Sequence, residues 1–404
     1  MERAYPRVVI TEKGERKTRA GHPWVFDAEV TEVSPEAENG CIVDVLSRKG
    51  RYLGTGFYND NSKIRVRLIS RNANDRFDAD FWRRALGYAL DYRACVMGED
   101  FHHDCRLIFG EADRFPGLTV DRFEDVLVAE VLSLGMERIK DMLFPALAEA
   151  LQARGETVSA IYERSDSPLR KKEGLEPYCG FALGTGSGHV DIRENGILYD
   201  VDYISGQKTG FFLDQKLNRR AVARIAGGRR VLDCFTHTGA FGLNAAAGGA
   251  QRVTSVDISA DAVALTRRNI ERNGFSDRCE ALQADVFELL TAMAERGGKP
   301  EYDLIILDPP AFTKSGATVK NAYRGYKEIN LKAMRLLPRG GWLATCSCSH
   351  FMTDALFREM LRAAAFDAGV ELRQIEARQQ APDHPILWNV PETEYLKFYL
   401  FQVV

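Results

Sequence analysis

Four aspartates in one stretch of this 404-residue chain each stand at the expected carboxyl end of a strand. Asp233 follows Val231-Leu232, Asp257 follows Val253-Thr254-Ser255-Val256, Asp285 follows Ala284, and Asp308 follows Leu304-Ile305-Ile306-Leu307 and precedes Pro309-Pro310. Carboxylates so placed accept hydrogens from the hydroxyl or amino groups of a ligand lying across strand ends. Gly239, reached from Asp233 through Phe235 and a loop of small residues, lets backbone approach that ligand closely. The acid closing the second run suits a pair of ribose hydroxyls, which gives that part to Asp257.

The loop lacks the full G-x-G-x-x-G, and no Lys-Ser/Thr pair follows it, so a nucleoside cofactor without pyrophosphate fits better than NAD or ATP. S-adenosylmethionine is such a nucleoside. A competing reading leaves Asp233 and Asp257 as loop caps in some other α/β enzyme.

A second constellation suits a flat nitrogenous base. Asp308-Pro309-Pro310-Ala311-Phe312 sets a carboxylate, stiff backbone and an aromatic ring at one strand end. Asp308 would meet the edge of the base and Phe312 would offer a stacking face. Cys346 and Cys348 arrive at the end of the next expected strand. A thiolate there could add to C6 of a cytosine, activate C5 towards a methyl donor, and leave by elimination. Alternation along a strand points both cysteines to one side, so spacing does not choose between them. A pair of buried structural cysteines is the plainer alternative.

The elements that must position these groups alternate strand and helix from 230 to 310, with Ser259 as an N-cap and Gly274 as a helix stop. That alternation predicts a doubly wound parallel sheet with its ligands at the carboxyl ends of the strands. Residues 209–220 lead into a helix just before the first strand and would bring Gln215 over the cofactor pocket. After Pro310 the pattern predicts a loop over 311–316, a helix over about 323–337, a strand over 342–349, a further helix, and final strands around 371–375 and 395–403. Asn195-Gly196 between alternating residues predicts a hairpin.

Upstream, residues 1–72 read as a β-rich unit of short apolar runs between glycine and asparagine turns. Within Lys63-Ile64-Arg65-Val66-Arg67-Leu68-Ile69 the cations alternate with aliphatics, so Lys63, Arg65 and Arg67 offer either a face for RNA phosphates or a solvated edge. Residues 73–185 read as a mixed α+β unit, with a helix over 77–97 whose stripe of Phe81, Ala85, Tyr88, Ala89 and Tyr92 is most simply core. A hairpin around Glu124-Asp125 and a helix over 136–154 follow, and residues 186–404 hold the doubly wound sheet. The formal net charge of -3 argues against a globally basic nucleic-acid binder but leaves room for local patches. Eight cysteines without C-x-x-C pairing give no reason to expect a metal site. No apolar run has the length of a membrane span and no signal-type core follows the first residues, so the expected compartment is the cytoplasm.

These residues resemble a known family, the bacterial ribosomal RNA large-subunit methyltransferases that make 5-methylcytosine. The marks are Gly21-His22-Pro23-Trp24-Val25-Phe26, Phe115-Pro116-Gly117-Leu118-Thr119-Val120-Asp121-Arg122, residues 210–219 and 233–241, Asp308-Pro309-Pro310-Ala311-Phe312, and Ser347-Cys348-Ser349. The resemblance spans nearly the whole chain. It implies a PUA-like RNA-binding domain over 1–72, a middle domain over 73–185, and a class I methyltransferase domain over 186–404. It also implies S-adenosylmethionine as donor and 23S ribosomal RNA as substrate, with a second copy of the chain left open as a partner. Cys348, in the Ser-Cys-Ser context, matches the cysteine the family keeps, and Cys346 is an extra thiol beside it. His237 stands where a tyrosine is expected. A related group that methylates guanine N7 shares Asp-Pro-Pro-x-Phe but lacks the thiol at the position of Cys348, so the thiol discriminates. A non-catalytic RNA-binding or assembly protein is the remaining rival.

Overall fold

The computed structural model describes residues 3–313 and 315–404. Met1 and Glu2, in the opening stretch expected to hold no signal-type core, and Lys314, in the loop expected over 311–316, lie outside the described residues. The chain forms two compact units.

The first unit comprises Met1–Ile192, Val201–Leu213 and Pro382–Thr393. Its six-stranded sheet runs, in spatial order, Trp24–Phe26, Ile64–Ser70, Tyr52–Tyr58, Ile42–Ser47, Arg7–Ile10, Val30–Val33. Val8, Ile10, Val25, Val43, Val45 and Val66 make its apolar core. Alternation holds along Ile64–Ser70: Val66 and Leu68 are buried, while Arg65 and Arg67 occupy the other face. A five-stranded sheet follows in the order Tyr178–Leu183, Ala160–Ser165, Val126–Val131, Leu118–Phe123, Asp104–Phe109. Glu124, at φ 52°, makes the expected tight turn between two of these strands.

Two helices pack on this second sheet. Ala79–Met97 starts at Asp78, whose carboxylate accepts from Phe81 N at 3.0 Å, and Leu134–Gln152 starts at Ser133, which caps Met136 N. Trp82, Leu86 and Leu90 meet Leu143, Leu147 and Leu151 in one core. Truncating a fully buried residue such as Trp82 costs roughly 3–5 kcal/mol. The expected core stripe needs correction here. Phe81 and Ala89 are buried, but Tyr88 is 69% exposed and Tyr92 38% exposed. The buried face centres on residues 82, 86, 89, 90 and 93, one position along from the expected stripe. Tyr88 and Tyr92 consequently line an open concavity of about 750 Å³.

The second unit comprises Arg193–Asp200, Asp214–Ala381 and Glu394–Val404. Its sheet has seven strands: β1 (Arg230–Cys234), β2 (Arg252–Asp257), β3 (Cys279–Gln283), β4 (Leu304–Leu307), β5 (Trp342–Ser347), β6 (Leu372–Arg378) and β7 (Lys397–Val403). Their spatial order is β3-β2-β1-β4-β5-β7-β6, and all neighbours are parallel except β7, which runs antiparallel to both β5 and β6. The order reverses at β1 and β4, which makes their carboxyl ends the crevice where doubly wound sheets bind ligands. The helices between strands are α1 (Lys216–Ala223, ahead of β1), α2 (Ala240–Ala247), α3 (Ala260–Arg272), α4 (Val286–Arg296), α5 (Val319–Leu336) and α6 (Asp354–Ala368). Ser259 caps α3 at Ala262 N, as expected, and Thr353 caps α6 at Leu356 N. α5 starts four residues before the expected 323. Asn195 and Gly196 both take positive φ, the backbone a two-residue hairpin turn requires. Among the described residues no helix is long and apolar enough to cross a membrane.

Candidate functional site

Asp233, the penultimate residue of β1, is almost fully buried. Its Oδ2 accepts from Gly242 N at 2.9 Å, from Ser255 Oγ at 3.5 Å and from Thr236 Oγ1, while Oδ1 is buried with no hydrogen-bond partner. Loss of water pushes its carboxyl up to about 6, against the lowering effect of those donors. A Cβ on Gly242 would fall 2.5 Å from Ser255 Oγ and 3.0 Å from Asp233 Oδ2, so the start of α2 reaches the carboxylate only because this residue lacks one.

The loop between Asp233 and α2 is unusual backbone. Phe235, His237 and Gly239 take φ of 62°, 53° and 83°, three left-handed residues within five. Two of them carry side chains, and such conformations persist only when their surroundings over-determine them. Here α3 does so: Thr266 Oγ1 donates to His237 O at 3.0 Å and Asn269 Nδ2 donates to Thr238 O at 3.0 Å. Asp257, at the end of β2, accepts His237 N on Oδ2 at 3.0 Å and Ser259 N on Oδ1 at 2.9 Å. Each oxygen keeps a lone pair for a ligand hydroxyl. Asp285 is the N-cap of α4, accepting from Phe287 N at 2.7 Å and Glu288 N at 3.2 Å.

Asp308 follows β4 and is half-buried. Gln215 Nε2 donates to its Oδ1 at 3.0 Å, and Gln215 Oε1 accepts from Asn218 Nδ2 at 2.6 Å. Desolvation, with the Asp214 carboxylate adding to it, pushes Asp308 up to about 7. Phe312 does not stand alone: its ring lies 4.5 Å from Tyr326 and 5.8 Å from Phe287, so one face is already packed.

The two cysteines part company. Cys346 lies inside β5, is 0% exposed, and sits in an apolar cluster with Ile306, Phe398 and Leu400. Burial drives its thiol far up, and nearby Asp308 adds to that. β5 ends at Ser347, so alternation stops before Cys348 and the expectation that both thiols share one side does not apply. Cys348 is half-buried, and its Sγ lies 3.9 Å from Pro309 O, directly after Asp308.

Sequence patterns gave no signal for the other groups around this thiol. Tyr326 is buried, its hydroxyl lies 2.9 Å from Ser349 Oγ, and burial holds its phenol up at about 12. Lys397 opens β7 at 4% exposure and donates to Ser349 O at 2.7 Å and Tyr395 O at 2.8 Å. Glu194 and Arg219 form a buried pair at 2.8 Å. These groups come from separate elements, and only the fold assembles them.

Of the three basic strand residues, Lys63 is exposed, whereas Arg67 is 14% exposed and paired with Glu111 at 3.0 Å and Glu173 at 2.9 Å. Arg65 pairs with Asp60 at 2.6 Å. Two of the three cations therefore already hold acids of their own unit.

Comparison with known proteins agrees with this architecture. A family profile described as S-adenosylmethionine-dependent methyltransferase matches residues 145–401, and one described as PUA-like domain matches residues 8–71. The chain is 38% identical over 402 residues to a Klebsiella pneumoniae protein named ribosomal RNA large subunit methyltransferase I, covering 99% of each. A Shewanella denitrificans protein of the same name is 42% identical over 396 residues, covering 97% of this chain and 98% of its own. Among solved structures, a proposed SAM-dependent methyltransferase from Streptococcus mutans superposes with a TM-score of 0.82 at 22% identity, over 98% of this chain and all of its own. A methyltransferase structure complexed with SAH gives 0.83 over the same shares. The chain therefore belongs to the S-adenosylmethionine-dependent methyltransferases that carry a PUA-like domain ahead of the transferase fold, alongside the proteins named ribosomal RNA large subunit methyltransferase I.

Proposed function

We propose that the protein methylates C5 of a cytosine in 23S ribosomal RNA through a covalent bond between Cys348 and C6. The observation that carries this reading is the half-buried Cys348 thiol 3.9 Å from Pro309 O, on the doorstep of Asp308. The name of these relatives supports a ribosomal RNA of the large subunit as the substrate. Residues 1–72 and 73–185 would grip RNA, with Lys63 the exposed cation of the basic strand, and residues 186–404 would carry the chemistry.

The donor fits the residues present. The unpartnered Asp233 Oδ1 can accept from its amino group and Asp257 can take two ribose hydroxyls, with Phe235 and Gly239 in the left-handed loop between β1 and α2. Asp285 and Gln215 flank that position as positioning groups. When bound, S-adenosylmethionine supplies an electrophilic methyl group whose bonding electrons stay with its sulfur.

In the reaction the Cys348 thiolate forms a bond to C6 and the C5–C6 electron pair moves to C5. Asp308, held near half-protonation at neutral pH, meets the N3 and amino edge of the base, donating or accepting as the ring's charge shifts. Gln215 fixes that carboxyl in place. After C5 has gained its methyl group, its proton leaves to a base, the electron pair re-forms C5–C6, and the thiolate departs. Cytosine must be swung out of its stack to reach such a site, and the exposed side of Phe312 can receive it.

The test is nucleoside mass spectrometry on unmodified ribosomal RNA treated with wild-type protein and with Cys348→Ala. The reading expects 5-methylcytidine from the first and none from the second. A 7-methylguanosine product, or wild-type activity in Cys348→Ala, would overturn it.

A further inference from the structure

Lys397 is a buried cation without an acid. It is 4% exposed, and among the described residues no carboxylate lies within ion-pair distance of its Nζ. Two of its three ammonium hydrogens go to the carbonyls of Ser349 and Tyr395. An uncompensated buried charge is expensive, and folds rarely keep one without use. The register of β5 against β7 sets Lys397 opposite Ser347, and the bond to Ser349 O reaches around the residue between them, which is Cys348.

We propose that Lys397 is the counter-ion of the Cys348 thiolate, a positioning residue whose third ammonium hydrogen is directed at the sulfur. Asp308, one residue before the Pro309 carbonyl that the sulfur meets, is pushed up to about 7 by burial and so carries little negative charge against the thiolate below that pH. Tyr326, whose hydroxyl engages Ser349, stays neutral across the working range. Cys346 is too deeply buried to ionise. Glu394 and Asp354 act on Lys397 from further off; Glu394 accepts from Gln379 Nε2 at 2.7 Å, and Asp354 accepts from the Tyr399 hydroxyl. Burial lowers the Lys397 ammonium to about 8 even though the neighbouring Cys348 sulfur, Glu394 and Asp354 work against it. Lysine and thiol thus stabilise each other's ionised forms, and a nucleophile is populated near neutrality.

The purpose of the pair rests on the reading of Cys348 as the nucleophile, but its electrostatics do not. The experiment therefore reads the thiol itself. Cys348 is alkylated with iodoacetamide from pH 5 to 10, and the rate at that position is followed by peptide mass spectrometry, since Cys95 and Cys179 are exposed and will also react. The wild-type midpoint should fall below that of a free thiol. Lys397→Met should raise it by about one unit, a roughly tenfold loss of alkylation rate at pH 7, while Lys397→Arg restores most of the rate. The same Lys397→Met protein should keep its affinity for S-adenosylmethionine. Equal midpoints in wild type and Lys397→Met would overturn the proposal. Should Lys397→Met not fold, a wild-type midpoint at or above about 8.5 would overturn it just as well. Should the midpoint shift as expected while Cys348→Ala still methylates RNA, the ion pair stands and the nucleophile reading falls.

Discussion

Gln215 Nε2 donates to Asp308 Oδ1 at 3.0 Å, which ties the residue just ahead of α1 to the carboxylate just past β4. The amide holds in place an acid that burial and Asp214 have made reluctant to ionise.

That reluctance has a signature in pH. Asp308 keeps its proton up to about 7 in the folded protein, against 3.8 for an ordinary aspartate. Between those values the folded state binds the extra proton, so stability falls as pH rises through the window. Asp233, pushed up to about 6, adds to the fall over its lower part. Asp308→Asn removes one share, and urea unfolding should show it gaining on wild type from pH 4 to 8, by on the order of 2 kcal/mol once solvent access to this half-buried group is allowed for. Parallel pH profiles would refute the shift.

Asp257 meets two backbone amides and keeps room for two ligand hydroxyls. Charge-assisted hydrogen bonds are worth about 1.5–3 kcal/mol each, so Asp257→Ala should weaken S-adenosylmethionine binding by roughly tenfold or more in calorimetry. Unchanged affinity would remove its ribose role.

The two cysteines should separate cleanly. Cys346→Ala leaves a small cavity among Ile306, Phe398 and Leu400, costing on the order of 1 kcal/mol in stability while methyl transfer persists. Cys348→Ala should unfold close to wild type and transfer nothing. A Cys346→Ala protein that folds but is inactive would reverse the assignment.

Arg67 and Lys63 should behave differently although they share a strand. Arg67→Ala strands the carboxylates of Glu111 and Glu173, a loss of roughly 3 kcal/mol read in thermal or denaturant unfolding. Lys63→Ala should leave stability alone and, where that face meets phosphates, lower the salt dependence of RNA binding by about one unit of slope. A stable Arg67→Ala protein with weakened RNA binding would return Arg67 to the interface.

The alternation of strand and helix, and the carboxylates at or beside the strand ends, are legible in local sequence. The largely apolar stretches leading to Asp233, Asp257 and Asp308 are local patterns, because a parallel strand buried on both faces is mostly apolar and charged residues gather towards its end. Ser259 as a cap and Asn195-Gly196 as a turn are equally local. Tertiary structure decided what those residues meet. A one-position offset of the buried face put Tyr88 and Tyr92 at the surface, because helix periodicity gives an angle and packing fixes its origin. Arg67 became an ion-pair residue because Glu111 and Glu173 reach it from distant sequence. Cys346 and Cys348 are two positions apart, yet the strand ends between them, so one thiol is sealed and the other faces Pro309. Lys397 stands 48 positions beyond Ser349 in sequence and reaches its carbonyl only because β7 turns antiparallel onto β5. Pairing across a sheet is a long-range choice that no short stretch of sequence encodes.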